Sequence, residues 1–203
     1  MSIQIKISNQ LIPYKKAINF LEKRVKDIKE NNERDLLWIL EHPTTYTAGI
    51  RYSKKEVIDK KIEVILTNRG GKLTLHNPGQ KIIYLAINLN NKKKDIRNLV
   101  TTIEKSIIEF LNIYEIKGKT DRKNIGIWVN KKKIAAIGIK VSRWIAYHGC
   151  SINVSNNLDA YRKIVPCGLN SKDVTSILKE GKKNIKDINS NLSKIFISNL
   201  NKI

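Results

Sequence analysis

Three stretches of this 203-residue chain put reactive side chains where they could do chemistry. In IVPCGL (164–169), Cys167 lies between Pro166, which fixes its own φ, and Gly168, which tolerates left-handed geometry. The thiol therefore rides on a constrained turn. Amides after such a turn can point at a developing oxyanion, and Arg162, Lys163 and Lys172 favour the thiolate, which is the nucleophile. A nucleophilic Cys167 still needs a base within reach. The competing reading of any free cysteine is a small buried hydrophobe, and Cys150 in YHGCSINV fits that description.

The second stretch, NKKKIAAIGIKV (130–141), supplies a candidate base. Read as a strand after a hairpin, it places Lys133 on the face of Ala135, Ile137 and Ile139, and Lys140 with Ile134, Ala136 and Gly138. A lysine held against apolar neighbours loses solvation, so its ammonium form is disfavoured and a neutral amine becomes available. A solvated lysine is the alternative, because alternation alone does not say which face is wet. The third stretch is RGGKLTLHNPGQ (69–80). Its paired glycines give unhindered N–H groups, Arg69 a charge, His76 and Gln80 polar handles. With no GK[ST] and no helix start after the glycines it is not a P-loop, and a tight turn or a ligand contact are both open readings.

Regular elements must hold these stretches. IQIKI (3–7) alternates as a strand; after Pro13, Tyr14, Ile18, Leu21, Val25 and Ile28 recur at helical spacing. LLWIL (36–40) reads as a buried strand, EHPTTYTAG (41–49) as a loop, and IEVILT and KIIYLAINL as strands around a short KLTLH strand. A helix spans about 95–113, with Ile96, Leu99, Val100, Ile103, Ile107 and Leu111 on one face. IGIWV and KIAAIGIKV form a hairpin through NKKK, and a further strand lies near IAYHGCSINV. The tail (about 173–203) predicts two short amphipathic helices, the second turning Ile185, Ile188, Leu192, Ile195, Phe196 and Leu200 inward. The pattern predicts an α+β fold, a mixed β-sheet core packed by helices, in a single catalytic domain over 1–203.

Composition narrows the setting. Two cysteines are too few for a disulfide scaffold, and no CxxC or Cys/His spacing suggests zinc. The N-terminus lacks a signal-peptide pattern and no run of about 18 apolar residues occurs, so a cytoplasmic protein without a membrane partner is expected. Thirty-nine Lys+Arg against 18 Asp+Glu give a net charge of +21. Lysine far outnumbers arginine beside abundant Ile and Asn, as an AT-rich genome produces, and aromatics are only 6%. That is a poor footprint for a nucleic-acid binder.

Taken together, LEHPTTYTAG (40–49), RGGKLTLHNPGQ, YLAINL, RKNIGIWVNKKKIAAIGIKVSRWIAYHG and INVSNNLDAYRKIVPCGL resemble the lipoate-pathway octanoyltransferases of the biotin/lipoate protein ligase superfamily, in order and over about 35–170. The resemblance implies that fold, and an octanoyl-[acyl-carrier-protein]:protein N-octanoyltransferase activity through a thioester on Cys167, with Lys133 assisting. It implies an acyl pocket lined by Arg69, Gly70, Gly71 and Lys72, by Leu73, Thr74, Leu75 and His76, by Ala136, Ile137 and Gly138, and by Gly149, Cys150 and Ser151. It further implies no metal and no cofactor, because the octanoyl group arrives on the phosphopantetheine of acyl carrier protein. Partners would be octanoyl-acyl carrier protein, lipoyl domains of 2-oxoacid dehydrogenases and glycine cleavage H protein, acting on a monomer, with His76 or a backbone amide steadying the oxyanion. Asn77 stands where the family usually has glycine, and asparagine also tolerates left-handed backbone. Cys150 and Ser151 stand where a larger apolar residue and alanine are more usual. The rivals are an ATP-dependent lipoate or biotin ligase, an enzyme moving octanoyl between protein lysines, and a basic nucleic-acid protein.

Overall fold

The computed structural model describes residues 2–122, 124–165 and 173–203. In chain order the elements are β1 (Gln4–Leu11), α1 (Tyr14–Asn31), β2 (Leu36–Glu41), β3 (Thr45–Ala48), β4 (Val64–Leu66), β5 (Leu73–His76), β6 (Gln80–Asn88), α2 (Ile96–Asn112), β7 (Lys119–Thr120), β8 (Gly126–Val129), β9 (Lys132–Ser142), β10 (Ile145–Asn153) and α3 (Ile188–Leu200). Seven strands form one sheet in the order β1-β2-β6-β10-β9-β8-β7, and β4-β3-β5 form a second. β1 and β2 run parallel, which needs a crossover, and α1 provides it; every other neighbour in the large sheet is antiparallel. The fold is α+β with a mixed sheet, as the sequence predicts.

Period-two alternation sorts the large sheet into two faces. Leu37 and Ile39 of β2 and Ile83, Leu85 and Ile87 of β6 meet Leu99, Ile103, Ile107 and Phe110 of α2 and Phe196 of α3. The intervening Leu36, Trp38, Leu40, Ile82, Tyr84 and Ala86 pack under Ala17, Leu21 and Ile28 of α1. Each fully buried Leu or Ile here contributes on the order of 1.5–3 kcal/mol relative to exposure. Caps fix the helix ends: the Asp95 side chain accepts from Asn98 N at 2.9 Å to start α2, and left-handed Asn32 (φ 56) ends α1.

Two segments differ from the sequence expectation. EHPTTYTAG, expected as a loop, contains β3, because Thr45 to Ala48 pair with β5 on one side and Tyr46 to Ala48 with β4 on the other. Tyr46 and Ala48 join Leu73, Leu75, Tyr161, Ile164 and Val174 in a third core under the small sheet. In the tail, only the second predicted helix forms among the described residues. Ile177 N and Leu178 N donate instead to Asn153 O (3.1 Å) and Val154 O (2.9 Å), continuing from the end of β10, and Ser176 Oγ caps a turn by accepting from Lys179 N (3.1 Å).

Candidate active site

β8 and β9 are joined by Asn130 and Lys131, both at positive φ (46° and 65°), a two-residue turn suited to strand twist. The hairpin register then slips. Val129 pairs Lys132 and Trp128 pairs Lys133, but Ile127 pairs Ala135, so Ile134 is an extra, bulged residue. The slip corrects the sequence expectation for Lys133. Ile134 and Ala135 remain in the core under α2, whereas Lys133 turns to the opposite face, that of Ala136 and Gly138. Its side chain proves the placement: Nζ sits 5.4 Å from the Trp128 ring centroid and donates to Ile125 O at 2.8 Å. The stem crosses Gly126, where a Cβ would run into Lys133 Cε and lie 2.5 Å from Ala135 O. Lys133 is 8% exposed and is the one buried lysine among the described residues.

Lys133 lines a cavity of about 570 Å3 between the large sheet, the small sheet and the start of α2. Arg69, Gly70, Gly71, Lys72, Thr74 and His76 line it, as do Ala136, Ile137, Gly138, Gly149, Cys150 and Ser151. Leu73 and Leu75 do not: alternation along β5 sends them into the small sheet's core, while Thr74 and His76 face the cavity. Gly70 closes against the floor, its carbonyl only 3.3 Å from where a Gly138 Cβ would stand. Ile96 and Val100, read from sequence as helix core, form part of the cavity wall, and Ile96 is 38% exposed. Arg51 and Arg122 bring positive charge to it, whereas Lys72 is ion-paired with Glu56 at 2.9 Å.

The polar end is built from side chains far apart in sequence. Tyr14, His42, His76 and Tyr84 form a ring cluster, with His42 and His76 centroids 5.6 Å apart and Tyr14 stacked 5.9 Å from His76. Burial pushes His42 down to about 4 and His76 and His148 down to about 3, so all three histidines are neutral near pH 7. Hydrogen bonds assign the proton of His76. Gln80 Nε2 has three acceptors within reach of its two N–H groups, Leu75 O, Asn153 Oδ1 and Tyr161 Oη, so Gln80 Oε1 is left to accept from His76 Nδ1–H at 2.8 Å. His76 Nε2 then carries a lone pair and is no oxyanion donor, which leaves backbone N–H groups for that role. The Arg69 guanidinium is buried, donating to Thr47 O and Oγ1 (both 2.9 Å) and Gly70 O (3.0 Å).

Cys150 is buried against Ile83 and Ile137 beneath α2, and burial raises its thiol pKa, consistent with an inert core residue. Cys167 and Lys172 lie outside the described residues. The chain on either side is anchored: Val165 N donates to Glu56 O (2.7 Å), and beyond Asp173, Val174 bridges Lys133 while Thr175 N donates to Lys133 O (3.0 Å). Arg162 and Lys163 are ion-paired with Asp159 (3.1 Å) and Asp59 (3.3 Å). Asn77 is not left-handed; Gly79 takes that conformation (φ 83), and the Asn77 side chain instead ties to Asn157 O and Asn156.

Sequence reasoning passed over His42, His148, Tyr14, Tyr84, Ile125 and Gly126. A usable signal existed, since the chain has only three histidines and each falls in or beside an apolar or glycine-containing stretch.

Comparison with known proteins adds the family. Residues 13–196 match the lipoyl protein ligase A/B catalytic domain. The octanoyltransferase of Wolbachia sp. subsp. Brugia malayi is 43% identical over 182 residues, covering 87% of this chain and 89% of the relative. That of Bartonella henselae is 38% identical over 193 residues, covering 88% and 79%. Among solved structures, lipoate-protein ligase A bound with ATP superposes with a TM-score of 0.77 at 14% identity, over 99% of this chain and 86% of that one. A bipartite lipoate protein ligase from Thermoplasma acidophilum, described with its E2 lipoyl domain, gives 0.75 at 14% identity, over 99% and 84%. At that identity the structures establish the fold.

Proposed function

Because the chain belongs to the lipoyl protein ligase A/B catalytic-domain family, and within it is an octanoyltransferase of lipoate biosynthesis, we propose that its cavity transfers octanoyl through a thioester on Cys167, with Lys133 as proton acceptor. In the first half, Lys133 Nζ takes the Cys167 thiol proton. The thiolate adds to the octanoyl thioester carbonyl, and a backbone N–H steadies the oxyanion. Collapse breaks the bond to the phosphopantetheine sulfur, which receives the proton back from Lys133. In the second half a lysine ε-amine attacks octanoyl-Cys167; the C–N bond forms, the C–S bond breaks, and the amine's proton returns to the thiolate through Lys133. The reading assigns no step to a metal or a nucleotide. Octanoyl-acyl carrier protein is the donor; lipoyl domains of 2-oxoacid dehydrogenases and glycine cleavage H protein are the acceptors. These are acidic proteins, and a +21 chain with Arg51 and Arg122 at the cavity attracts them.

The observation that carries the reading is Lys133: a buried amine turned by a bulge into an apolar-walled cavity, on a strand bridged by Val174, seven residues after Cys167. The test is intact mass after incubation with octanoyl-acyl carrier protein. One octanoyl adduct that hydroxylamine removes, absent in Cys167→Ser and present in Cys150→Ser, is expected. An unmodified enzyme that transfers free octanoate only with ATP would contradict it and indicate ligase chemistry.

A further inference from the structure

Three buried polar atoms of cavity residues have no hydrogen-bond partner among the described residues: Arg69 Nε, which can only donate, His148 Nδ1, and Tyr14 Oη, which can donate or accept. The network fixes the His148 tautomer. Asn68 Nδ2 donates to Glu22 Oε1 at 2.9 Å, so Asn68 Oδ1 is the atom facing His148 Nε2 at 3.0 Å, and Nε2 must carry the hydrogen. Nδ1 is therefore a bare acceptor. His148 is 2% exposed and its ring lies over Tyr147 at 4.9 Å. Its backbone is left-handed (φ 69), an unfavourable conformation for a side-chain-bearing residue that persists where the surroundings fix it. Burial above all, and then the charges of Arg69 and Lys140, oppose protonation of the ring and keep the lone pair in place. Arg69 is fixed by Thr47 and Gly70 through its two terminal nitrogens, and its Nε–H, with the Tyr14 hydroxyl as a polar neighbour, makes no hydrogen bond among the described residues.

A donor and an acceptor without partners in one buried cavity, beside a Tyr14 hydroxyl that can serve as either, are the complement of a secondary amide. We propose that Arg69 and His148 form an amide-reading subsite, Arg69 Nε–H donating to the amide oxygen and His148 Nδ1 accepting from the amide N–H. The inference rests on the acyl-transfer reading above, which brings such amides to the cavity from two sources. One is the pantetheine arm that carries the thioester; the other is the octanoyl-lysyl amide that the reaction makes.

The test is equilibrium binding to unreactive ligands, so it does not depend on turnover. S-octyl-pantetheine keeps the arm's amides without a thioester, and an Nε-octanoyl-lysine peptide presents the product amide. His148→Gly removes the ring while suiting the left-handed backbone, and His148→Asn keeps an oxygen acceptor on a residue that also adopts it. His148→Gly is expected to bind one of the two ligands about tenfold or more weakly than wild type, with His148→Asn losing less. The ligand affected names the source. Unchanged affinity of His148→Gly for both ligands overturns the subsite and leaves the unpartnered atoms to water. Failure of the wild type to form the thioester on Cys167 would remove the acyl-enzyme reading alone, because the binding result stands without it.

Discussion

The two faces of the seven-stranded sheet are made by the same strands and differ in purpose. Beneath α2 and α3 the face is hydrocarbon, with Phe110, Phe196 and Ile107 all at 0% exposure and no histidine. Across the sheet, the part under α1 is also apolar, but toward β9 and β10 it opens into a cavity with buried Arg69, Lys133, His76 and His148. Burying polar groups without full pairing is costly, so the second face gives up stability that the first supplies. One residue of register in a strand decides which side chain lands on which face.

Substitutions on the two faces should separate activity from stability. Gly126→Ala should have the largest effect, since the added methyl collides with the Lys133 stem and with Ala135 O, and φ 141 disfavours any side chain. Steady-state transfer should fall at least about a hundredfold. Phe110→Ala should do the reverse. About 3–5 kcal/mol of stability should be lost in denaturant unfolding, while kcat/KM of the remaining folded protein stays near wild type.

Acid should act on the cavity face through its buried histidines. His42, His76 and His148 titrate near 4, 3 and 3 when folded, below the ordinary value of 6.5, so the unfolded chain binds more protons below about pH 6.5. Their neutral burial is fully compatible with folding above that pH, and stability is lost as pH falls from 6.5 toward 4. Each contributes at most about 1.4 kcal/mol per pH unit. Thermal unfolding between pH 7 and 4.5 should show a falling Tm, and His76→Gln should flatten the slope; a Tm independent of pH would contradict the assignment. The smallest effect is salt. Raising it from about 0.05 to 0.5 M should lower kcat/KM several-fold with acyl carrier protein as donor and leave a small octanoyl thioester unaffected.

How much of this was legible in sequence depends on range. The apolar periods of α1, α2 and α3 and the strands LLWIL and KIIYLAINL are local patterns, and each forms its element, although Ile96 and Val100 of α2 turn to the cavity wall and Ile185 precedes α3. Lys133 was identified, but strict alternation put it on the wrong face, because a bulge depends on what the partner strand offers. Leu73 and Leu75 were assigned to the cavity as members of a motif, although period two in β5 separates them from Thr74 and His76. β3 was missed because its Thr-Tyr-Thr-Ala pattern follows Pro43 and is stabilised by two neighbours distant in sequence. The ring cluster joins α1, β5, β6 and the loop after β2, so no window of the chain contains it.

The central claim is that the amine turned inward by the Ile134 bulge activates the thiol. The direct measurement is the single-turnover rate of octanoyl-enzyme formation in Lys133→Met, which keeps the stem and removes the amine. A loss of about a hundredfold or more at pH 7, with unchanged thermal stability, is predicted. Acylation of Lys133→Met at the wild-type rate would contradict it.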